Sequence, residues 1–251
     1  MYPYLRVGPF LLQLSGLALL SGVWLGIGLI EKEATRLKLN PTKVSNTLFY
    51  GLIAGLIGAR LGYVLKFLDV YISNPLGLFS LNTNTLSPEA GLIVGLIVAI
   101  VYGQRNKMAL RSTLDAFAPG LALFMVTLGV AYILNGNAYG APTQLPWSIF
   151  LWADYRHPSQ IYETVFAAGI LLIALRKPLG NPGAGLNFWL VIGLSTIARI
   201  FLEAFRGDSL IWGEGFRAAQ LVALVMLATS IFFLKQWSQS ENSIPPERKQ
   251  E

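Results

Sequence analysis

The sequence predicts an all-α integral membrane protein of seven transmembrane helices, with the N-terminus outside and the C-terminus in the cytoplasm. Three observations carry that reading. Of 251 residues, 54% are apolar and only 13% charged, where soluble domains carry about 25% charged residues, and the mean hydropathy is +0.54. Apolar runs near 9–30, 46–68, 89–103, 114–134, 159–176, 185–205 and 218–236 reach or approach the ~20 residues a helix needs to cross hydrocarbon, the third being short. Basic residues favour alternate connections. Lys32, Arg36, Lys38, Lys43, Arg105, Lys107, Arg111, Arg176, Lys177, Lys235, Arg248 and Lys249 fall on one side, against Arg6, Arg156, Arg206 and Arg217 on the other. The richer side is cytoplasmic by the positive-inside rule.

The first run has one early arginine, no clear small-residue cleavage site and more length than a signal-peptide core, so it reads as a retained span. The second and third carry glycines four apart, Gly51/Gly55, Gly58/Gly62 and Gly91/Gly95, a spacing that lets helix backbones approach closely. Arg60 sits inside the second run, while Lys66 and Asp115 lie near enough to span ends to snorkel. Outer connections cover 69–87, 135–158 and 207–215. The middle one, rich in Gly, Pro, Asn and Trp, reads as a turn-rich cap over a cavity. Trp147, Trp152, Tyr155 and Trp212 suit the headgroup level of a bilayer. The expected division is a membrane domain over 1–237 and a disordered cytoplasmic tail over 238–251, which is polar and contains proline.

Composition also excludes chemistries. Without cysteine there is no disulfide, thiolate metal site or cysteine nucleophile in the chain, and one histidine makes a histidine metal centre improbable. No cofactor or metal is expected. The net charge of +6 is spread over short loops and not along one face, which argues against a nucleic-acid partner. A small-solute transporter would bring internal repeats and broken midplane helices, and neither pattern is visible.

The single histidine lies in Arg156-His157-Pro158-Ser159-Gln160-Ile161-Tyr162-Glu163, at the mouth of the fifth run. Pro158, Ser159, Gln160 and Glu163 suit a helix start, where acceptors meet free amides and the positive dipole end. Capping does not require His157 and Tyr162 in the same stretch, and unpaired polar groups in hydrocarbon cost several kcal/mol each, roughly. The cluster therefore points to a site facing protein or water. In the sixth run, Arg199, Glu203 and Arg206 fall at i, i+4 and i+7, so Glu203 is expected to hold both guanidiniums in an array that fits an anion such as a lipid phosphate.

The run His157-Pro-Ser-Gln-Ile-Tyr-Glu163 resembles the His-Pro-Ser-Gln-Leu-Tyr-Glu signature of bacterial prolipoprotein diacylglyceryl transferases. Gly58-Ala-Arg-Leu-Gly-Tyr-Val64, Asn135-Gly-Asn-Ala-Tyr-Gly-Ala-Pro-Thr143, Arg199-Ile-Phe-Leu-Glu-Ala-Phe-Arg206 and Gln220 agree in order, so the resemblance spans nearly the whole chain. It implies an enzyme of the bacterial inner membrane that moves the diacylglyceryl group of phosphatidylglycerol onto the lipobox cysteine of a prolipoprotein signal-peptide segment, releasing glycerol phosphate. The implied partners are phosphatidylglycerol, the prolipoprotein and membrane lipids. The implied catalytic residues are Glu89, His157 and Arg199. Arg60, Asn135, Gly136, Gly140, Gln160, Tyr162, Glu163, Glu203 and Arg206 are the implied substrate-binding set.

The departures are specific. Within Ser87-Pro88-Glu89-Ala90-Gly91, Glu89 stands where the family has its presumed catalytic histidine. Gly129 and Tyr132 replace an arginine and an asparagine of the phospholipid site, Asn137 replaces a glutamate, and Ser15 and Ser195 fall at or near two family tyrosines. Glu89 would serve as base for the thiol only if desolvation raised its pKa from about 4.3 towards ~8.5; His157 is the other base that the residues offer. The alternative function is a catalytically degenerate lipid- or lipoprotein-binding membrane protein of the same family.

Overall fold

Lipid offers no hydrogen-bond partner to the backbone, so apolar runs of spanning length coil into helices that satisfy their own amides. The computed structural model describes residues 4–8, 10–79, 85–176, 179–212 and 215–242, and seven of its helices are long and apolar enough to cross a membrane. They are α1 (Leu14–Arg36), α2 (Pro41–Lys66), α4 (Pro88–Arg105), α5 (Leu110–Asn135), α6 (Ser159–Arg176), α7 (Leu186–Leu202) and α8 (Ala218–Asn242); a short α3 (Leu68–Ser73) follows α2. Three antiparallel hairpins lie among the described residues: β1 (Tyr4–Val7) with β2 (Phe10–Gln13), β3 (Ile149–Leu151) with β4 (Asp154–Arg156), and β5 (Ile211–Trp212) with β6 (Phe216–Arg217).

Two expected boundaries move. The first span begins at Leu14 and not at 9, because residues 10–13 pair with 4–7 in the β1–β2 hairpin, and it runs on to Arg36. At the other end, α8 continues past 237 to Asn242. The Arg111 guanidinium lies 4.8 Å from the Trp237 ring and donates to Ser240 Oγ at 2.7 Å, which holds the extra turn against α5. The rest of the expected tail, 243–251, and Lys177 lie outside the described residues.

The chain divides into two units. One, Lys38–Leu110, is built on α2 and α4. Asn40 starts α2 by accepting the Lys43 amide at 3.1 Å, with Pro41 in the first turn. The four-residue glycine spacing brings the two backbones together: a Cβ on Gly91 would sit 2.8 Å from the Gly55 carbonyl oxygen, and one on Gly95 2.8 Å from that of Gly51.

The other unit joins residues up to Leu37 with those from Arg111 onward. Its core lies where α5, α6 and α7 meet, through Ala118, Ala122, Ile170, Ala174, Val191 and Ala198. Asp115, 2% exposed, accepts the amides of Gly185 at 2.8 Å and Phe188 at 3.1 Å. It caps the start of α7 from across the bundle, a use of its charge beyond snorkelling.

Candidate functional site

In the larger unit the residues between α5 and α6 form an ordered scaffold. Asn135 and Gly136 stop α5: Gly136 takes φ +76° and donates to the Tyr132 carbonyl at 2.9 Å, while Asn135 Oδ1 accepts the Asn137 amide at 2.8 Å. Ser159 Oγ donates to the Ala138 carbonyl at 2.5 Å, and Gln160, 1% exposed, donates to the Asn137 carbonyl at 3.1 Å. These bonds anchor the start of α6 to the preceding loop.

From there, residues 139–143 run between two other segments. On one side Ala141 donates to the Phe205 carbonyl and Gly207 to the Tyr139 carbonyl, both at 2.8 Å; on the other His157 donates to the Ala141 carbonyl at 3.0 Å and Thr143 to that of Tyr155 at 2.9 Å. Gly140 bridges Arg206, and Pro142 bridges Arg156. The ladder thus sets Arg206 and His157 on opposite sides of Gly140. Only glycine fits there, since a Cβ at 140 would collide with the His157 carbonyl and one on Gly207 would lie 2.6 Å from the Gly140 carbonyl oxygen. Gly140→Ala is expected to cost about 1–3 kcal/mol by overpacking, read as a lower thermal midpoint in detergent; an unchanged midpoint would show that the ladder tolerates displacement.

Four of the candidate residues meet in one charged cluster. Glu163 Oε1 accepts from Arg199 Nη1 at 3.1 Å and from Arg206 Nη1 at 2.9 Å. Arg199 Nη2 lies 2.9 Å from Oε2 of Glu203, a residue only 1% exposed. Arg206 turns its other edge to Asp208, with Nε to Oδ1 at 2.9 Å and Nη2 to Oδ2 at 2.8 Å. Desolvation opposes the Arg206 charge, yet the Asp208 hydrogen bond and the charge of Glu163 hold its pKa above arginine's ordinary value. The expectation that Glu203 holds both guanidiniums is corrected: Glu163 of α6 bridges them. The reason is that α7 ends at Leu202, Glu203–Phe205 tightens into a 3-10 turn, and Arg206 leaves it in extended conformation. The i+7 position is therefore not on the helix face.

His157 and Tyr162 line an open groove of about 380 Å³ beside this cluster, with Leu145, Trp147, Phe166, Phe201, Leu202 and Phe205. The imidazole packs edge-on to Phe205, centroids 5.2 Å apart, and Trp147 Nε1 donates to the Tyr162 hydroxyl at 2.8 Å. His157 Nδ1 is buried and has no hydrogen-bond partner among the described residues. An apolar wall and an imidazole thus lie beside two arginines that three carboxylates hold in place.

The remaining two candidates belong to the other unit. Arg60 Nη1 donates to the Thr85 carbonyl at 2.9 Å and to its hydroxyl, Nη2 donates to the Gly77 carbonyl, and the guanidinium lies 5.6 Å from the Tyr71 ring. Glu89, in the first turn of α4, is exposed and accepts from Ser87 Oγ at 2.9 Å.

Asp208 and Tyr132 were missed as members of the cluster. Tyr132, half-buried on α5, lies within range of the charges of Glu163, Arg206 and Arg199. Tyr132 was noted only as a substituted position, and the signal for its placement was Gly129 one turn earlier: a Cβ there would collide with Thr164, the neighbour of Glu163. Ser195 turns its hydroxyl back to the Val191 carbonyl at 2.7 Å.

A family model described as prolipoprotein diacylglyceryl transferase matches residues 3–235. Among curated proteins, the chain is 27% identical over 257 residues to the phosphatidylglycerol–prolipoprotein diacylglyceryl transferase of Synechococcus elongatus, covering 96% of this chain and 88% of the relative. It is 32% identical over 213 residues to the enzyme of that name from Photobacterium profundum, covering 80% and 79%. Against the one from Clostridioides difficile it is 29% identical over 210 residues, covering 84% of each.

Proposed function

We infer the function from one premise: the chain belongs to the prolipoprotein diacylglyceryl transferase family. It transfers the diacylglyceryl group of phosphatidylglycerol to the lipobox cysteine thiol of a prolipoprotein. We further propose that it does so in the bacterial inner membrane, with its N-terminus outside, as the distribution of basic residues favours, and with 1–237 as the membrane domain.

The observation that carries the mechanism is the Glu163-bridged pair of Arg199 and Arg206 next to the His157 groove. In the reaction a thiolate sulfur attacks the terminal glyceryl carbon, a carbon–sulfur bond forms, and the carbon–oxygen bond to phosphate breaks. The electron pair leaves on glycerol phosphate, and the thiol proton goes to a base. We assign the base to His157, whose imidazole lines the groove, and not to the exposed Glu89. Arg199 and Arg206 meet the charge that grows on the leaving phosphate. Glu163, Glu203 and Asp208 hold the two forks in place, Tyr162 lines the groove with His157, and Gly140 keeps His157 and Arg206 in register. Asn135, Gly136 and Gln160 shape the loop beneath them, and Arg60 binds Gly77 and Thr85 of its own unit.

The degenerate-binder alternative has one observation in its favour. Gly129 packs on Thr164 so closely that an arginine, the family's residue there, has no room. One assay separates the readings: mass detection of a lipidated lipobox peptide after incubation of purified protein with phosphatidylglycerol. Transfer that survives Glu89→Gln and is lost in Arg199→Ala is the expected result. Phosphatidylglycerol binding without any transfer would establish the binder.

A further inference from the structure

We propose that Arg217 is a positioning residue for the arginine cluster, an inference that rests on the transfer reading above. Arg217 is the last residue of β6, paired with Ile211 of β5. From there its Nη1 reaches back to the far end of α7, donating to the Glu203 carbonyl, to the Arg206 carbonyl at 2.9 Å and to Ser209 Oγ at 3.0 Å. The Glu203 carbonyl also takes the Arg206 amide, at 3.2 Å, and a cation just past the end of α7 meets the negative end of the helix dipole. One guanidinium nitrogen thus pins the backbone on both sides of Phe205.

What that backbone carries makes the clamp functional. Glu203 pairs with Arg199, Phe205 walls the groove against His157, and Arg206 meets Glu163 and Asp208. The Phe205 carbonyl also receives the Ala141 amide at 2.8 Å, which ties the turn to the Gly140 ladder. A displacement of the turn therefore moves both cations and the groove wall relative to the base, and a misplacement of about 1 Å costs on the order of 100-fold in a positioned reaction. Arg217 acts through these groups without touching substrate.

The test is steady-state transfer by the purified full-length protein with Arg217→Ala and Arg217→Lys, varying phosphatidylglycerol and lipobox peptide separately. Arg217→Ala is expected to lower kcat/KM for phosphatidylglycerol about 10- to 100-fold with the peptide KM nearly unchanged. Arg217→Lys, which keeps a cation on a shorter side chain that does not reach as far as Nη1, should recover part of the loss, as should guanidinium ion added to the alanine variant. Wild-type kinetics in the alanine variant, or equal losses towards both substrates without guanidinium rescue, would overturn the proposal. If the alanine variant does not fold, wild-type kinetics in the lysine variant would overturn it and a selective phosphatidylglycerol defect would support it. If the wild type transfers nothing, the transfer reading fails, and binding to phosphatidylglycerol micelles decides about Arg217: weaker binding in the lysine variant supports the clamp, and equal binding overturns it.

Discussion

Alanine in place of Arg206 is expected to lower kcat/KM for diacylglyceryl transfer about 100-fold or more, as removal of one preorganised charge donor typically does. Its guanidinium is used on two edges at once, against Glu163 Oε1 and, bidentately, against Asp208. Those bonds fix the fork before substrate arrives, so no reorganisation is needed when the phosphate gains charge. The loss should fall on kcat as much as on KM, because the added charge appears only as the carbon–oxygen bond breaks. Arg206→Lys tests whether charge or fork matters. A lysine supplies a cation but not two parallel donors to Asp208 together with one to Glu163, and its activity should stay near that of alanine. A lysine variant with wild-type kcat would show that a point charge is enough and that the Asp208 contact is incidental. Single-turnover transfer to a lipobox peptide reads both constants.

The seven spans were legible because bilayer thickness sets helix length and hydrocarbon enforces the fold of each run. The ends were less so. Residues 10–13 are as apolar as the helix they precede, and only pairing with residues 4–7 takes them out of it. The β3–β4 turn escapes sequence reading for a different reason: Trp152 and Ala153 occupy positive φ, +56° and +60°, where glycine or asparagine is the usual signal. Trp152 is held there by the bond from its Nε1 to the Gly136 carbonyl at 2.9 Å. Within the cluster, residues four apart on one helix were readable, and the Arg199–Glu203 pair follows from spacing alone. Partners brought in by tertiary folding were not. Asp208 and Arg217 reach Arg206 and its backbone only because α7 gives way to a 3-10 turn after Leu202, a boundary that the periodicity of an apolar run does not mark.

Replacing His157 by glutamine is expected to lower kcat by roughly 100- to 10,000-fold, the range associated with a positioned proton acceptor. The case is geometric. Its backbone is held by the Ala141 carbonyl on one side and the Ser159 amide, at 2.8 Å, on the other, and its ring is confined by Phe205 and Tyr162 at centroid distances of 5.2 and 6.3 Å. The ring so confined lines the groove together with Tyr162, where a substrate thiol bound in the groove can meet the imidazole. The pH profile separates this role from packing. An imidazole that takes a proton must be neutral, so kcat/KM falls with unit slope on the acid side in the wild type. In His157→Gln the break of that limb should move up to the thiol's own ionisation, at about 8.5. A break that keeps its wild-type position in His157→Gln and moves in Glu89→Gln would instead assign the base to Glu89.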